Sequence, residues 1–267
     1  MTDPNNPTPI SNRLNGQTIL ITRPADTSAE LRSILEAHGA YVLCFPTIEI
    51  TDPDSWEACD STIWKLAEYD SVCFTSKNAV EKWIRRIRLV RPQALNTLAT
   101  RNLYAVGEKT KSTLESFGFS VQPIPSKHTA KDLAQSFYGQ NISGKHFLFP
   151  KSNIAGGVLS IELRSLGALV DEIVAYKTVL PETEHLEHLR SIFMQRKVGM
   201  IIFFSPSSVR NFVEMMGTEM VQNSAIAVIG PTTADAVHDA GLTAAIVAGQ
   251  QTTESLVQEI VDYYREG

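Results

Sequence analysis

Apolar positions along this chain fall into short continuous runs, separated by stretches with helical spacing. Gln17–Thr22 (QTILIT), Tyr69–Phe74 (YDSVCF), Asn102–Val106 (NLYAV), Lys145–Phe149, Val198–Phe204 (VGMIIFF) and Ala225–Ile229 (AIAVI) are apolar without alternation. That is the pattern of parallel strands buried on both faces. Val121–Ile124 and Ala244–Val247 predict two shorter strands. Between the strands, Ser28–His38 places Leu31, Ile34 and Leu35 on one helical face before Gly39, and Ala79–Ile87 does the same with Val80, Trp83, Ile84 and Ile87. Asp54–Glu68, Thr110–Phe117, Thr129–Tyr138, Gly157–Leu166, His185–Gln195, Ser207–Met216, Thr232–Ala240 and Thr253–Tyr264 complete the helices, with Thr129 placed as an N-cap. Regular alternation of strand and helix predicts an α/β fold.

Two longer strands stand apart. Tyr41–Ile50 (YVLCFPTIEI), broken or bent at Pro46, and Leu169–Val179, continuing to Leu180, each follow a helix that ends in Gly-Ala. They are also matched by an internal repeat. The block from Gly16 (GQTILITRP) corresponds to that from Gly144 (GKHFLFPKS), FTSKNAV from Phe74 to FFSPSSV from Phe203, and AVGEKT from Ala105 to VIGPTT from Val228. The order is kept and the spacing drifts by only a few residues. The fold expected is therefore α/β, with two similar flavodoxin/Rossmann-like parallel-sheet domains joined by a two-stranded linker. The segments expected are a disordered tail over 1–16, a discontinuous first domain (17–45 plus 181–267), a second domain (51–175), and linker strands over 46–50 and 176–180. Simple tandem domains are the other arrangement that the periodicity allows. In the crossed-over arrangement Tyr176 would sit where the domains face each other.

Composition removes several functional classes. The net charge of −5 argues against a nucleic-acid partner, which calls for a basic face. No apolar run approaches membrane-spanning length, and the N-terminus has neither the basic nor the apolar region of a signal peptide. Cys44, Cys59 and Cys73 provide no disulfide framework and fit a reducing cytoplasm. G-x-G-x-x-G, the P-loop and the G-x-S-x-G elbow are all absent. His185 and His188 are the nearest approach to a metal pair and have no third ligand in view, so no metal is expected.

In open parallel sheets, ligands bind beyond the carboxyl ends of the strands. The residues expected there are Arg23; Thr75, Ser76 and Asn78; Gly107 and Thr110; Lys151, in the turn Pro150-Lys151-Ser152-Asn153; Ser205 and Ser207; and Gly230, Thr232 and Thr233. They open helices, where unpaired N–H groups and the positive end of the dipole suit carboxylates or phosphates. Any single Ser or Thr among them is more readily read as an N-cap, and it is the set of six such turns that points to a ligand. Tyr176 is readable either as a half-buried strand residue or as a phenol that donates to a leaving hydroxyl.

ITRP, FPTIEI, FTSKNAV, AVGEKT, VAYKT, FFSPSSV and IGPTTADAV, in this order over Gln17–Tyr264, resemble the uroporphyrinogen-III synthase family. The resemblance implies two α/β domains with a β-ladder linker. It implies cyclisation of hydroxymethylbilane, a polycarboxylate, to uroporphyrinogen III, with inversion of ring D and loss of water, by a monomer without cofactor or metal. It implies that Tyr176 assists departure of the hydroxyl, and that Ser76, Ser205, Ser207, Thr110, Thr232 and Thr233 line the substrate cleft. Many members have an Arg/Gly-rich turn where this chain has Pro150–Asn153, so the resemblance leaves the pairing of cations with carboxylates undefined. Two other readings stand beside it: a two-lobed binder or sensor of a small anion, and a flavin protein on a flavodoxin-like domain.

Overall fold

The computed structural model of the protein describes residues 13–181, 183–195 and 198–266. The strands, in chain order, are β1 (Thr18–Ile21), β2 (Tyr41–Cys44), β3 (Glu49–Thr51), β4 (Ser71–Phe74), β5 (Asn102–Ala105), β6 (His146–Ser152), β7 (Leu169–Val179), β8 (Val198–Phe203), β9 (Ala225–Val228) and β10 (Ile246–Val247). They form two five-stranded sheets, ordered β10-β9-β8-β1-β2 and β3-β7-β6-β4-β5. The pairs β1–β2, β1–β8, β8–β9 and β9–β10 are parallel in the first sheet, and β4–β5, β4–β6 and β6–β7 in the second. The expected α/β fold forms, with two mostly parallel sheets.

The chain divides into two compact units, 1–49 with 180–267 and 50–179. In the first, every residue of β1 is buried, and its side chains alternate between two cores. Ile19 and Ile21 pack with Leu31, Leu35 and Ile260, while Leu20 packs with Phe203, Phe212 and Val237 on the other face. In the second unit Val72 and Phe74 join Trp83, Ile84 and Leu114, and Cys73 joins Phe137, Phe147 and Leu163. Strands buried on both faces need apolar side chains at every position, hence the unbroken runs.

Several expectations are corrected. Of the tail expected over 1–16, residues 1–12 lie outside the described residues. Residues 13–16 form a turn in which Leu14 is fully buried and its N–H donates to the His38 carbonyl at 2.9 Å. Tyr41–Ile50 is two strands, β2 and β3, and β3 belongs to the second sheet, beside β7. Val121–Ile124 is not a strand. It makes a backbone bond from Gln122 N–H to the Leu103 carbonyl at 2.8 Å, but Pro123 and Pro125 have no N–H to extend a ladder. The helix expected over Asp54–Glu68 is an α-helix over Glu57–Trp64 followed by a 3-10 turn, and the surface helix Ala94–Ala99 was not anticipated. Trp64, at the end of that α-helix, is exposed, with the Arg91 guanidinium 4.8 Å from its ring centroid.

Candidate functional site

In the second unit the carboxyl ends of β4, β5, β6 and β7 lie along one sheet edge, because these strands are parallel. β4 runs into Thr75 and Ser76, and Ser76 caps the helix Lys77–Val90 by accepting from the Ala79 N–H at 3.2 Å. Asn78 lies in the first turn of that helix, half-buried as Thr75 is. β5 leads through Gly107 into the helix Glu108–Ser116, whose N-cap provides no side-chain hydrogen bond; Thr110 is buried in its first turn.

Tyr176 is on β7, and a register shift sets its direction. β6 and β7 pair evenly to Lys151–Val174, and the next pair is Ser152–Tyr176, which leaves Ala175 as the extra residue. Strict alternation would put Tyr176 on the same face as exposed Val174, away from Ile173 and Ala175. A β-bulge re-aims the residue that follows it. Ile173, Ala175 and Tyr176 thus join one core, and the Tyr176 hydroxyl lies 3.0 Å from Ser76 Oγ. Lys177, next along the chain, is held outward by Asp54 at 2.8 Å.

Lys151 does not lie in a turn. β6 continues through Pro150 and Lys151, and the Lys151 ammonium pairs with Glu172 and also reaches the Ala155 carbonyl at 3.3 Å. Arg164 approaches the other Glu172 oxygen at 3.2 Å. Burial would raise the Glu172 carboxyl, but the cations of Lys151 and Arg164 outweigh it and hold it below the usual carboxylate range. Pro150 is tolerated because β4 pairs with β6 only as far as Leu148, so no second neighbour needs its missing N–H.

The first unit repeats the design. Ser205 caps the helix Pro206–Met216 with a reciprocal box: its Oγ accepts from Ser208 N–H at 3.2 Å, and Ser208 Oγ accepts from Ser205 N–H at 3.2 Å. Exposed Ser207 bonds Ser205 Oγ at 3.1 Å. Gly230 opens the helix Pro231–Asp239 without a side-chain cap, with Thr232 exposed and Thr233 buried in its first turn. Arg23 follows β1 and stacks 3.8 Å over the Phe204 ring that follows β8. Each unit therefore has a Ser-capped helix and a Gly-capped helix at matching places on its carboxyl edge, and in the second unit the helix Val158–Ser165 after β6 also starts at a glycine, Gly157. The expected site residues form two groups, one in each unit.

Two polar residues near these edges, His128 and Gln251, were not singled out from the sequence, and a third, Asn153, was named only as part of the turn after β6. His128 packs on Gly107 and Gln251 on Gly230, at matching positions of the repeat. His128 is the one non-glycine residue with positive φ among the described residues, at 54°. The third, Asn153, bonds β7 beyond the bulge. Only the repeat could have pointed to the first two. Among the described residues no group of three or more His, Cys, Asp or Glu could hold a metal ion. His188 lines an apolar recess with Leu189 and Ile192, and the side chain of His185 lies outside the described residues.

The family model for uroporphyrinogen-III synthase HemD matches residues 29–258. The chain belongs to the uroporphyrinogen-III synthase family. Curated relatives agree over nearly full length. The chain is 29% identical to the uroporphyrinogen-III synthase of Chlorobaculum parvum, covering 86% of this chain and 92% of the relative. It is 30% identical to that of Synechococcus elongatus, covering 95% and 97%. A crystal structure of a mutant uroporphyrinogen III synthase from the extremely thermophilic bacterium Thermus thermophilus shares the fold, with a TM-score of 0.66 at 17% identity over 94% of this chain and all of that one. Membership makes the protein a cyclising lyase of porphyrin and haem biosynthesis, which disfavours both the binder and the flavin readings. No helix among the described residues is long and apolar enough to cross a membrane.

Proposed function

We propose that the chain closes hydroxymethylbilane to uroporphyrinogen III, with inversion of ring D and loss of water, and that Tyr176 donates the proton on which the departing hydroxyl leaves as water. The observation that carries this is the bulge-directed placement of the Tyr176 hydroxyl on Ser76. Ser76 Oγ accepts from a helix N-terminal N–H and still has its own hydrogen to donate. It can donate to the phenolate oxygen left after proton transfer, at the positive end of the helix Lys77–Val90. The phenol recovers its proton when the macrocycle closes.

Substrate carboxylates are assigned to the Gly-capped helix starts, Gly107 with Thr110 and Gly230 with Thr232 and Thr233. No side chain caps these helices, so their first N–H groups suit an anion. Thr75, Asn78, Ser205, Ser207 and Arg23 are assigned supporting contacts. Lys151 is not assigned one, because its ammonium is committed to Glu172. A cytoplasmic monomer that binds no nucleic acid belongs to the same reading, supported by three free cysteines and the acidic net charge.

The test is the isomer formed from hydroxymethylbilane. The wild type is expected to yield the type III isomer, and Tyr176→Phe to lose about 100-fold or more in turnover with its fold intact, as for removal of a general acid. Near-wild-type turnover by the variant would remove Tyr176 from the acid role, and type I isomer alone from the wild type would overturn the activity.

A further inference from the structure

The bulge that aims Tyr176 leaves the strand after it short of a partner on its β6 side; β3 is the neighbour on the other. β6 ends at Ser152, and its chain turns away through Ile154 and Ala155, with Ile154 N–H donating to Ser152 Oγ at 3.1 Å and Ala155 N–H to the Ser152 carbonyl at 3.2 Å. β7 runs on to Val179. Over this last stretch Asn153 takes the place of the missing strand. Its backbone N–H donates to the carbonyl of Tyr176 itself at 3.2 Å. Its side-chain oxygen Oδ1 accepts from Thr178 N–H at 2.8 Å, and its Nδ2 reaches back to the Thr178 carbonyl at 3.5 Å. A side-chain amide carries one acceptor and a donor group, as a peptide does, so Asn153 extends the ladder past the end of β6. The two backbone positions it holds bracket Lys177 and begin at Tyr176.

We propose that Asn153 is the positioning residue for Tyr176: its side-chain amide fixes the strand beyond the bulge, and so fixes the phenol on Ser76 for proton donation. Three observations converge on this. The bulge lies between Val174 and Tyr176, at the point where ordinary pairing ends. Bulged strands bend and lose a ladder bond, so a partner is needed to hold one direction. Asn153 provides that partner through a polar side chain on an exposed residue, whose own burial contributes little. A misplacement of about 1 Å in a catalytic group can cost on the order of 100-fold in rate, so a residue that never meets the substrate can still set turnover. Aspartate retains the acceptor for Thr178 N–H and alanine does not, which separates the amide's bond from its bulk.

The inference rests on the acid role proposed for Tyr176, and its test can fail independently of that role. Asn153→Ala is expected to lower kcat by about 10-fold or more with KM changed less than about twofold, and Asn153→Asp to restore most of the loss. In a Tyr176→Phe background, Asn153→Ala is expected to cost little more. Hydrogen exchange at the Thr178 amide, read without substrate, is expected to rise in Asn153→Ala and to remain slow in Asn153→Asp. A severe Tyr176→Phe defect with normal kcat in Asn153→Ala overturns the positioning role and leaves the acid role standing. Equal loss of kcat from Asn153→Ala in both backgrounds also overturns it, because the residue would then act other than through the phenol. Unchanged exchange at Thr178 in Asn153→Ala overturns it whatever the kinetics.

Discussion

Lys151 and Glu172 show how far a single charge can be read from the chain. A lysine near the end of a parallel strand invites assignment to an anionic substrate. In the fold its side chain is mostly buried and its ammonium faces Glu172, which is also bonded by Arg164. Breaking a partly buried pair from one side leaves the other charge without compensation. Lys151→Met is therefore expected to lower thermal stability at neutral pH while KM for hydroxymethylbilane moves less than about twofold. The pH dependence has a definite sign. The Glu172 carboxyl lies below its ordinary value when folded, so its pairing stabilises the fold above the unfolded value of about 4.3 and loses that contribution as pH falls through the folded one. Thermal melts of Glu172→Gln are expected to differ from wild type at pH 7 and to converge with it only once the pH has fallen below the lowered folded value of Glu172. A large rise in KM in Lys151→Met would return the lysine to the substrate.

Among the elements, the hydroxyls at helix starts resolve into two kinds. Ser76 and Ser205 are caps in geometry, each accepting from an N–H of its helix. Thr110, Thr232 and Thr233 lie inside the first turns of helices that no side chain caps. Sequence alone could not separate these, because Ser, Thr and Gly all occur at helix starts and the difference lies in which atom meets the first N–H groups. Ser205→Ala is expected to cost about 1 kcal/mol of stability with a modest rise in KM, whereas Ser76→Ala loses a cap of the same size and also slows kcat, because it removes the partner of Tyr176. Equal kinetic effects of the two substitutions would break the distinction. Strand positions were legible because burial on both faces demands unbroken apolar runs, as in TILI and SVCF. Proline chemistry accounts for two of the misreadings. Pro123 and Pro125 deny Val121–Ile124 a ladder, while Pro150, which reads as a strand end, is accommodated where β6 has lost its neighbour β4. The bulge at Ala175 carries no residue signature. It is visible only when β6 and β7 are paired, as the step from Lys151–Val174 to Ser152–Tyr176.

At the scale of the whole molecule, the repeat predicts likeness and the connectivity breaks it. The second unit is one continuous stretch of chain, 50–179, whereas the first is assembled from both ends. Its sheet places β1, from the N-terminal segment, between β8 and β2, so the segment 180–267 alone has β8 as an open edge with one side unpaired. Leu14, Ile19, Ile21, Leu31 and Leu35, all from the N-terminal segment, pack against Met200, Ile202, Leu256 and Ile260 from the other. The fragment 50–179 is therefore expected to fold alone, with a single cooperative thermal transition by circular dichroism. Fragment 180–267 is expected to remain unfolded or to aggregate until fragment 13–49 is added, when β1 can pair with β8 and the shared core can close. Cooperative folding of 180–267 alone would mean that β1 is dispensable to its sheet, and that the strand order depends less on the N-terminal segment than its central place implies.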